Sequence, residues 1–229
     1  MSGFDFDVIA RSLPHLFLDG MVFTVMLTAL AATGGVVFGT GVALLRLSGI
    51  PPLALLATGY VNLVRALPLV LVIFWFFFLV PYIGQWLTGS RRPVQVGAFS
   101  SALITFVVFE AAYFSEIIRA GIGAIPRGQF AAGQAIGLRP GQVTRYVILP
   151  QVFRTMLPVM LTQTIILFQD TSLVYVLGLV DFVGAASQVA QRDGRLVEMY
   201  SFVAAVFFII SFTASRGVRR LQAVFAIPR

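Results

Sequence analysis

The chain has 229 residues, of which 59% are hydrophobic and 11% are charged, and its mean hydropathy is +0.94. A soluble domain could not bury that much apolar surface, so the composition predicts an integral membrane protein whose main solvent is lipid. The chain has no cysteine, which excludes disulfides and thiolate metal sites. All sixteen basic residues are arginines, and their scatter between apolar runs argues against nucleic-acid binding despite the net charge of +7.

The N-terminal segment, residues 1–19, is predicted to form a short amphipathic helix that lies in the membrane interface. Asp5 and Asp7 occupy the place of the basic region that a cleaved signal peptide needs. Pro14 is placed to bend this helix. We interpret His15, the sole histidine, as an interfacial polar residue rather than a ligand or a catalyst.

Five apolar spans follow along the chain, each at or above the roughly 20 residues that a bilayer core requires. They cover about 21–45, 54–80, 96–119, 152–178 and 197–216. Helices satisfy their own backbone hydrogen bonds in lipid, so these spans predict an all-α protein with five transmembrane helices. We treat residues 1–229 as one membrane domain.

Gly35 and Gly39 give the first span a small-xxx-small step. Such a step lets two helix backbones approach closely, which predicts that this helix lies within a packed bundle.

The distribution of the arginines predicts the orientation, because cytoplasmic loops of membrane proteins carry the excess of positive charge. With the N-terminus outside, the inner side holds ten arginines: Arg46, Arg119, Arg127, Arg139, Arg145, Arg154, Arg216, Arg219, Arg220 and Arg229. The outer side then holds five: Arg11, Arg91, Arg92, Arg192 and Arg195. We therefore expect the N-terminus outside and the C-terminus in the cytoplasm.

Two charges lie deep within the second and third spans. Arg65 is eleven residues from the inner end of 54–80, and Glu110 is nine from the inner end of 96–119. At about 1.5 Å per residue their depths differ by about 3 Å, and neither ion can face hydrocarbon alone. The sequence leaves three interpretations open. In the first, the two charges form a pair that locks adjacent helices. In the second, Arg65 faces the pathway and attracts an anionic solute, and in the third each charge has a separate partner across a subunit interface.

A polar segment rich in arginine and glycine, residues 124–150, separates the third and fourth spans. Pro126 suits the first turn of a helix and Gly137 suits its C-terminal cap. These signals predict a helix over 127–136, about 15 Å long. Its small side chains would let a partner approach closely, so the segment is either an interfacial connector or a docking surface for a soluble protein.

Four polar residues interrupt the fourth span near its outer end: Gln169, Asp170, Thr171 and Ser172. Irregular backbone at this depth persists only where it is buried in protein or lines a wet cavity. We interpret Asp170 either as the N-cap of a short helix that begins at Thr171 or as a direct substrate contact.

The segment 124–150 resembles the EAA loop of ABC importer permeases, whose pattern is E-A-A, three residues, G, nine residues, I-x-L-P. When Gly137 is set on the glycine of this pattern, Val147, Leu149 and Pro150 fall on its I, L and P positions. Ala132 falls on the first alanine.

The sequence departs from this pattern at Ala131, where glutamate is usual, and at Gly133, where the second alanine is usual. The flanking sequences AYFSEIIRAGI, LPQVFRTMLP and QDTSLVYVLGL are similar to the polar amino acid uptake branch of these permeases. The stretches FEAAYFSEIIRAG, LFQDTSLVYVL and RDGRLVEM most resemble the membrane subunits of glutamate/aspartate importers.

This resemblance implies a non-catalytic subunit of the bacterial inner membrane that forms the path for amino acids such as glutamate and aspartate. It implies a second permease subunit (a sister chain or a second copy), two cytoplasmic ATPase subunits and a periplasmic solute-binding protein. It also implies that ATP and Mg are held by the partner ATPase and that this chain has no cofactor. In agreement, the chain has no G-x-x-x-x-G-K-[ST] loop and no lysine to complete one.

The residues that the resemblance assigns to ATPase coupling are Gly128, Gln129, Phe130, Ala131, Ala132, Gly133, Ala135, Gly137, Leu149 and Pro150. Those it places along the substrate path are Arg65, Glu110, Gln169, Asp170, Thr171 and Ser172. The alternative function is a secondary amino acid carrier or a channel subunit that is not coupled to ATP.

Overall fold

The computed structural model describes residues 4–94 and 96–225, and no strand occurs among them. The α-helices of this part are α1 (Phe6–Pro14), α2 (Val22–Leu47), α3 (Pro51–Ala66), α4 (Leu69–Phe74), α5 (Val80–Thr88), α6 (Ala98–Gly123), α7 (Arg127–Ala135), α8 (Pro140–Val143), α9 (Leu149–Asp170), α10 (Phe182–Asp193) and α11 (Leu196–Phe225). Residues 1–3 of the predicted N-terminal segment and Arg229 of the charge count lie outside the described residues.

Five helical stretches of the described chain are long and apolar enough to cross a membrane. They are Phe6–Leu47, Leu69–Thr88, Ala98–Gly123, Pro140–Leu177 and Leu196–Phe225. The predicted all-α fold with five spans is confirmed.

The predicted N-terminal helix is present, but it is not separate from the first span. Asp5 caps α1, accepting hydrogen bonds from the backbone N–H groups of Asp7 at 2.9 Å and Val8 at 3.3 Å. A π-helical segment, His15–Met21, then joins α1 to α2 without a break. The first span is therefore the end of a helix of 42 residues.

The second predicted span, 54–80, is wrong as one helix. Pro68 has no backbone N–H and forces the preceding residue out of the helical region, so Leu67 is extended with φ −99° and ψ 141°. The chain forms α3 before this break, and the helix that crosses the membrane begins only at Leu69. Arg65 consequently lies in the last turn of a helix that ends at Ala66.

The bundle centres on α2 and α6, which run in the same direction and touch through glycine. A β-carbon on Gly35 would lie 2.6 Å from Cβ of Glu110, and one on Gly39 would lie 2.8 Å from the carbonyl oxygen of Ala111. The predicted close packing at these two glycines is confirmed.

Replacing Gly39 with leucine should separate α2 from α6, because overpacking of a tight contact costs about 1–3 kcal/mol or more. We expect a lower melting temperature in detergent and less assembled protein. Gly41 has no neighbouring atom within 4 Å of the same added carbon, so Gly41→Leu is the matched control. Equal melting temperatures for the two variants would contradict this packing.

The bundle has two ends, which we name from the polar segment. The loop end holds residues 124–150, and the opposite end holds α1 and α10. At the opposite end the π-helical segment His15–Met21 touches the start of α10, since a β-carbon on Gly20 would lie 2.9 Å from the carbonyl oxygen of Asp181.

Candidate coupling loop and transport path

The predicted helix of the polar segment is confirmed as α7, Arg127–Ala135. Gly137 follows it with φ +87°, a conformation that glycine adopts without a steric penalty. The N–H of Gly137 donates to the carbonyl of Gln134 at 2.9 Å, and the N–H of Leu138 donates to that of Gly133 at 3.2 Å. This Schellman arrangement satisfies the last carbonyls and fixes where α7 ends.

From Gly128 to Ala135, α7 is exposed at every residue except Gly133. Gly133 packs on Val143, and a β-carbon there would lie 2.9 Å from Cγ1 of Val143. At 100° per residue, the face opposite Gly133 carries Gly128, Ala131 and Ala135. The helix thus presents its smallest side chains outward, where a partner's backbone could come close.

A pair of amides connects α7 to the first turn of α9. The Gln151 amide donates to Oε1 of Gln129 at 3.3 Å and to the carbonyl of Val147 at 2.8 Å. Leu149 and Pro150 form the first residues of α9, which continues directly from a π-helical segment, Thr144–Ile148. The sequence analysis missed Gln151, which lies directly after the residues of the loop pattern.

Glu110 is buried in the centre of the bundle, with 1% of its surface exposed. The amide of Gln163 on α9 donates to both of its carboxylate oxygens, at 3.2 and 3.3 Å. The carboxylate therefore ties α6 to α9, and Gln163 is a residue that the sequence analysis missed.

The predicted Arg65–Glu110 pair does not form. The break at Pro68 moves Arg65 off the spanning helix, and its guanidinium lies 5.3 Å from the ring centroid of Tyr113. Arg65 is exposed, while Glu110 takes its hydrogen bonds from Gln163.

The four polar residues near the end of α9 mark a change of helix type, as the sequence suggested. The helix tightens into a 3-10 segment, Thr171–Leu177. Thr171 is buried and its hydroxyl donates to the carbonyl of Phe168 at 2.7 Å, whereas Gln169 is exposed and Ser172 is half-buried.

The predicted capping role of Asp170 is wrong. Its backbone is already helical and its side chain makes no capping hydrogen bond, because the 3-10 segment continues α9 without a new start.

The aspartate that caps a helix is Asp181, at the start of α10, a helix that the sequence analysis did not predict. Asp181 accepts from the N–H groups of Val183 at 3.1 Å and Gly184 at 2.9 Å. Burial raises the pKa of Asp181 to about 6, against the effect of these donors.

The loop end holds an ion cluster that joins α2 to α6, which we call the ion triad: Arg46, Glu116 and Arg119. Arg46 Nη1 donates to Glu116 Oε2 at 2.6 Å, and Arg119 Nη2 donates to Glu116 Oε1. Two cations share one carboxylate, so the triad carries a surplus positive charge.

Three arginines of the opposite end, Arg11, Arg192 and Arg195, are engaged in ion pairs within the chain. Arg192 lies 2.8 Å from Asp193, and Arg195 lies 3.0 Å from Glu198 and 3.6 Å from Asp5. The Arg192 guanidinium holds the pKa of Asp193 below its usual range. The contact of Arg11 with Asp193, at 3.3 Å, and that of Arg195 with Asp5 fasten α10 and the start of α11 to the N-terminal helix.

A family model matches most of the chain and shows the family to which it belongs. The model of the binding-protein-dependent transport system inner membrane component family matches residues 35–223, which include α7 and the ion triad. The chain belongs to this family. As one of these inner membrane components, it carries the polar segment 124–150 after its third span, and the segment runs into the start of the helical stretch Pro140–Leu177.

Relatives of this inner membrane component cover almost its whole length. It is 49% identical over 222 residues to the glutamate/aspartate import permease protein GltK of Escherichia coli, covering 97% of this chain and 98% of that protein. It is 30% identical over 219 residues to the glutamine transport system permease protein GlnP of Escherichia coli, covering 96% of each.

Solved structures share the fold of this inner membrane component. A chain of an amino acid ABC transporter with histidines superposes with a TM-score of 0.85 at 30% identity, covering 97% of this chain and 99% of that one. A chain of the MetNI methionine ABC transporter superposes with a TM-score of 0.68 at 18% identity, covering 99% of this chain and 100% of that one, which shows the shared fold alone.

Proposed function

We propose that the chain is the membrane-spanning subunit of an ATP-driven, binding-protein-dependent importer of glutamate and aspartate. The observation that carries this proposal is the 49% identity, over 97% of the chain, to a glutamate/aspartate import permease. Identity to the glutamine permease of the same organism is lower, at 30%. The acidic amino acids are therefore the preferred substrate class.

The exposure of α7 supports a coupling role for it. From Gly128 to Ala135 this helix buries one residue, Gly133, against its own chain, so this stretch gains little from intramolecular packing. A cytoplasmic ATPase that receives the face of Gly128, Ala131 and Ala135 supplies the missing contact. The partner holds ATP and Mg, since the chain has no lysine for a phosphate loop.

The proposed assembly holds a second permease subunit, two ATPase subunits and a periplasmic binding protein in the bacterial inner membrane. The excess of arginine at the loop end supports an orientation with the N-terminus outside and the C-terminus in the cytoplasm. The absence of glutamate at Ala131 suits an asymmetric pair in which a sister permease keeps the fuller loop motif.

The substrate path passes the contact of α6 with α9. Glu110 on α6 takes its hydrogen bonds from Gln163 on α9 there, and Asp170 ends α9 at the change to the 3-10 segment. Arg65 belongs to the loop side of Glu110 on this path, because its guanidinium lies 5.3 Å from the ring centroid of Tyr113, which follows Glu110 on α6.

Uptake by proteoliposomes tests this function. We expect vanadate-sensitive accumulation of labelled glutamate and aspartate only when the ATPase subunits and the binding protein are both present. Labelled glutamine should accumulate at least about tenfold less, equivalent to a discrimination of about 1.4 kcal/mol. Accumulation driven by an ion gradient without ATP would instead identify a secondary carrier.

A further inference from the structure

An apolar groove runs along the outside of the bundle where α2, α3 and α6 meet. It encloses about 440 Å³ and is lined by Phe38, Val42, Tyr60, Leu103, Ile104, Val107, Val108 and Ala111. The hydroxyl of Tyr60 is the one polar side-chain group in this lining, and it donates to the carbonyl of Val108. Phe38 and Ile104 at the rim are 63% and 45% exposed, so the groove opens to the surroundings.

The groove leads toward the ion triad. Phe38, Val42 and Arg46 are spaced four residues apart and share one face of α2, so Arg46 lies about 6 Å beyond Val42 along the helix. On α6, Ala111 and Arg119 are eight positions apart and share one face in the same way, so Arg119 lies about 12 Å beyond Ala111. An apolar channel and a cationic cluster therefore follow one another toward the loop end.

The triad has unused capacity for an anion. Arg46 and Arg119 share the single carboxylate of Glu116, which leaves one positive charge in surplus. The side chain of Arg46 is 9% exposed, and its buried Nε–H has no acceptor. A buried donor without an acceptor is costly, so an anionic oxygen at this point would be stabilised. Arg119 is 43% exposed and can be reached from outside.

We propose that the groove and the ion triad form a binding site for one anionic phospholipid. One acyl chain lies in the groove against α2 and α6, and the phosphate accepts hydrogen bonds from Arg119 and Arg46. Two properties of the site select this ligand: a long apolar channel takes a hydrocarbon chain, and a cationic cluster where that channel ends favours a negative headgroup. The site is distinct from the path at Glu110 and does not depend on which solute is transported.

Native mass spectrometry of the full-length chain, purified with its partner subunits, tests this proposal. The probes are phosphatidylglycerol, phosphatidylcholine with the same acyl chains, and glycerol phosphate. The variants are Arg119→Gln at the headgroup position and Ile104→Trp at the groove. Arg220→Gln is the matched control, because it removes an exposed arginine at the same end of the bundle.

We expect the wild-type chain and Arg220→Gln to retain one phosphatidylglycerol about tenfold better than phosphatidylcholine. Arg119→Gln should abolish this preference, and Ile104→Trp should lower retention of both lipids. Glycerol phosphate should not compete, because it lacks the acyl chain. Equal retention of the two lipids by the wild type, or unchanged retention in both variants, would overturn the proposal. Crosslinking of the Ile104→Cys variant to a partner subunit would also overturn it, because the groove would then be a subunit contact.

Discussion

Replacing Ala131 with tryptophan is expected to reduce ATP-driven uptake about 100-fold and to prevent co-purification of the ATPase. Ala131 lies on the face of α7 that points away from Gly133, the residue through which α7 packs on its own chain. An indole there would hold the partner away from Gly128 and Ala135. Loss of a central interface contact costs about 2–4 kcal/mol, enough for this effect. The measurements are the amount of ATPase recovered with the purified chain and the initial rate of uptake.

The matched control is Ala223→Trp, which adds the same bulk to another exposed alanine at the loop end. It should leave uptake and ATPase recovery near the wild-type values. Because Ala131 makes no internal packing contact that tryptophan would disturb, the Ala131 variant should melt within a few degrees of the wild type. Full ATPase recovery with Ala131→Trp would refute the coupling role of this face.

Replacing Glu110 with alanine is expected to reduce uptake about 10- to 100-fold, whereas Glu110→Gln should stay within about fivefold of the wild type. Alanine takes the acceptor from the half-buried Gln163 amide and unties α6 from α9, at a cost of about 1–3 kcal/mol. Glutamine keeps an oxygen that accepts from Gln163. The comparison therefore separates the hydrogen bond of Glu110 from its charge.

The control for this pair is Thr155→Ala, because the hydroxyl of Thr155 bonds only within its own helix, to the carbonyl of Gln151 at 2.9 Å. Uptake and melting temperature should be measured for all three variants. If Glu110→Gln and Glu110→Ala lost activity equally, the charge of Glu110 and not its link to Gln163 would be the required property.

The sequence could predict the features that depend on local chemistry. The five apolar spans, the close approach at Gly35 and Gly39, and α7 with its glycine cap follow from composition and spacing. Each of these rests on neighbouring residues, so no tertiary information was needed.

The sequence analysis failed where the arrangement of neighbouring helices decides the contact. The residues on either side of Leu67 and Pro68 are apolar, so hydropathy shows no boundary there, although the helix ends before the proline. The depth of Arg65 and Glu110 was counted along straight spans, so it carried no information about the break or about helix rotation. The capping aspartate was assigned to Asp170, whereas Asp181 precedes α10 and has free backbone N–H groups to accept from.

The position of two glutamines on α9 has a mechanical consequence. The helix has 22 residues and is about 33 Å long. Gln151, in the first turn of α9, is hydrogen-bonded to Gln129 of α7. Gln163, about 18 Å further along α9, is hydrogen-bonded to Glu110. Pro158 lies between them and removes one backbone hydrogen bond, which gives the rod a point where it can flex. A displacement of α7 would therefore be transmitted along α9 to the buried side chain of Glu110, and α9 could bend at Pro158 as this happens.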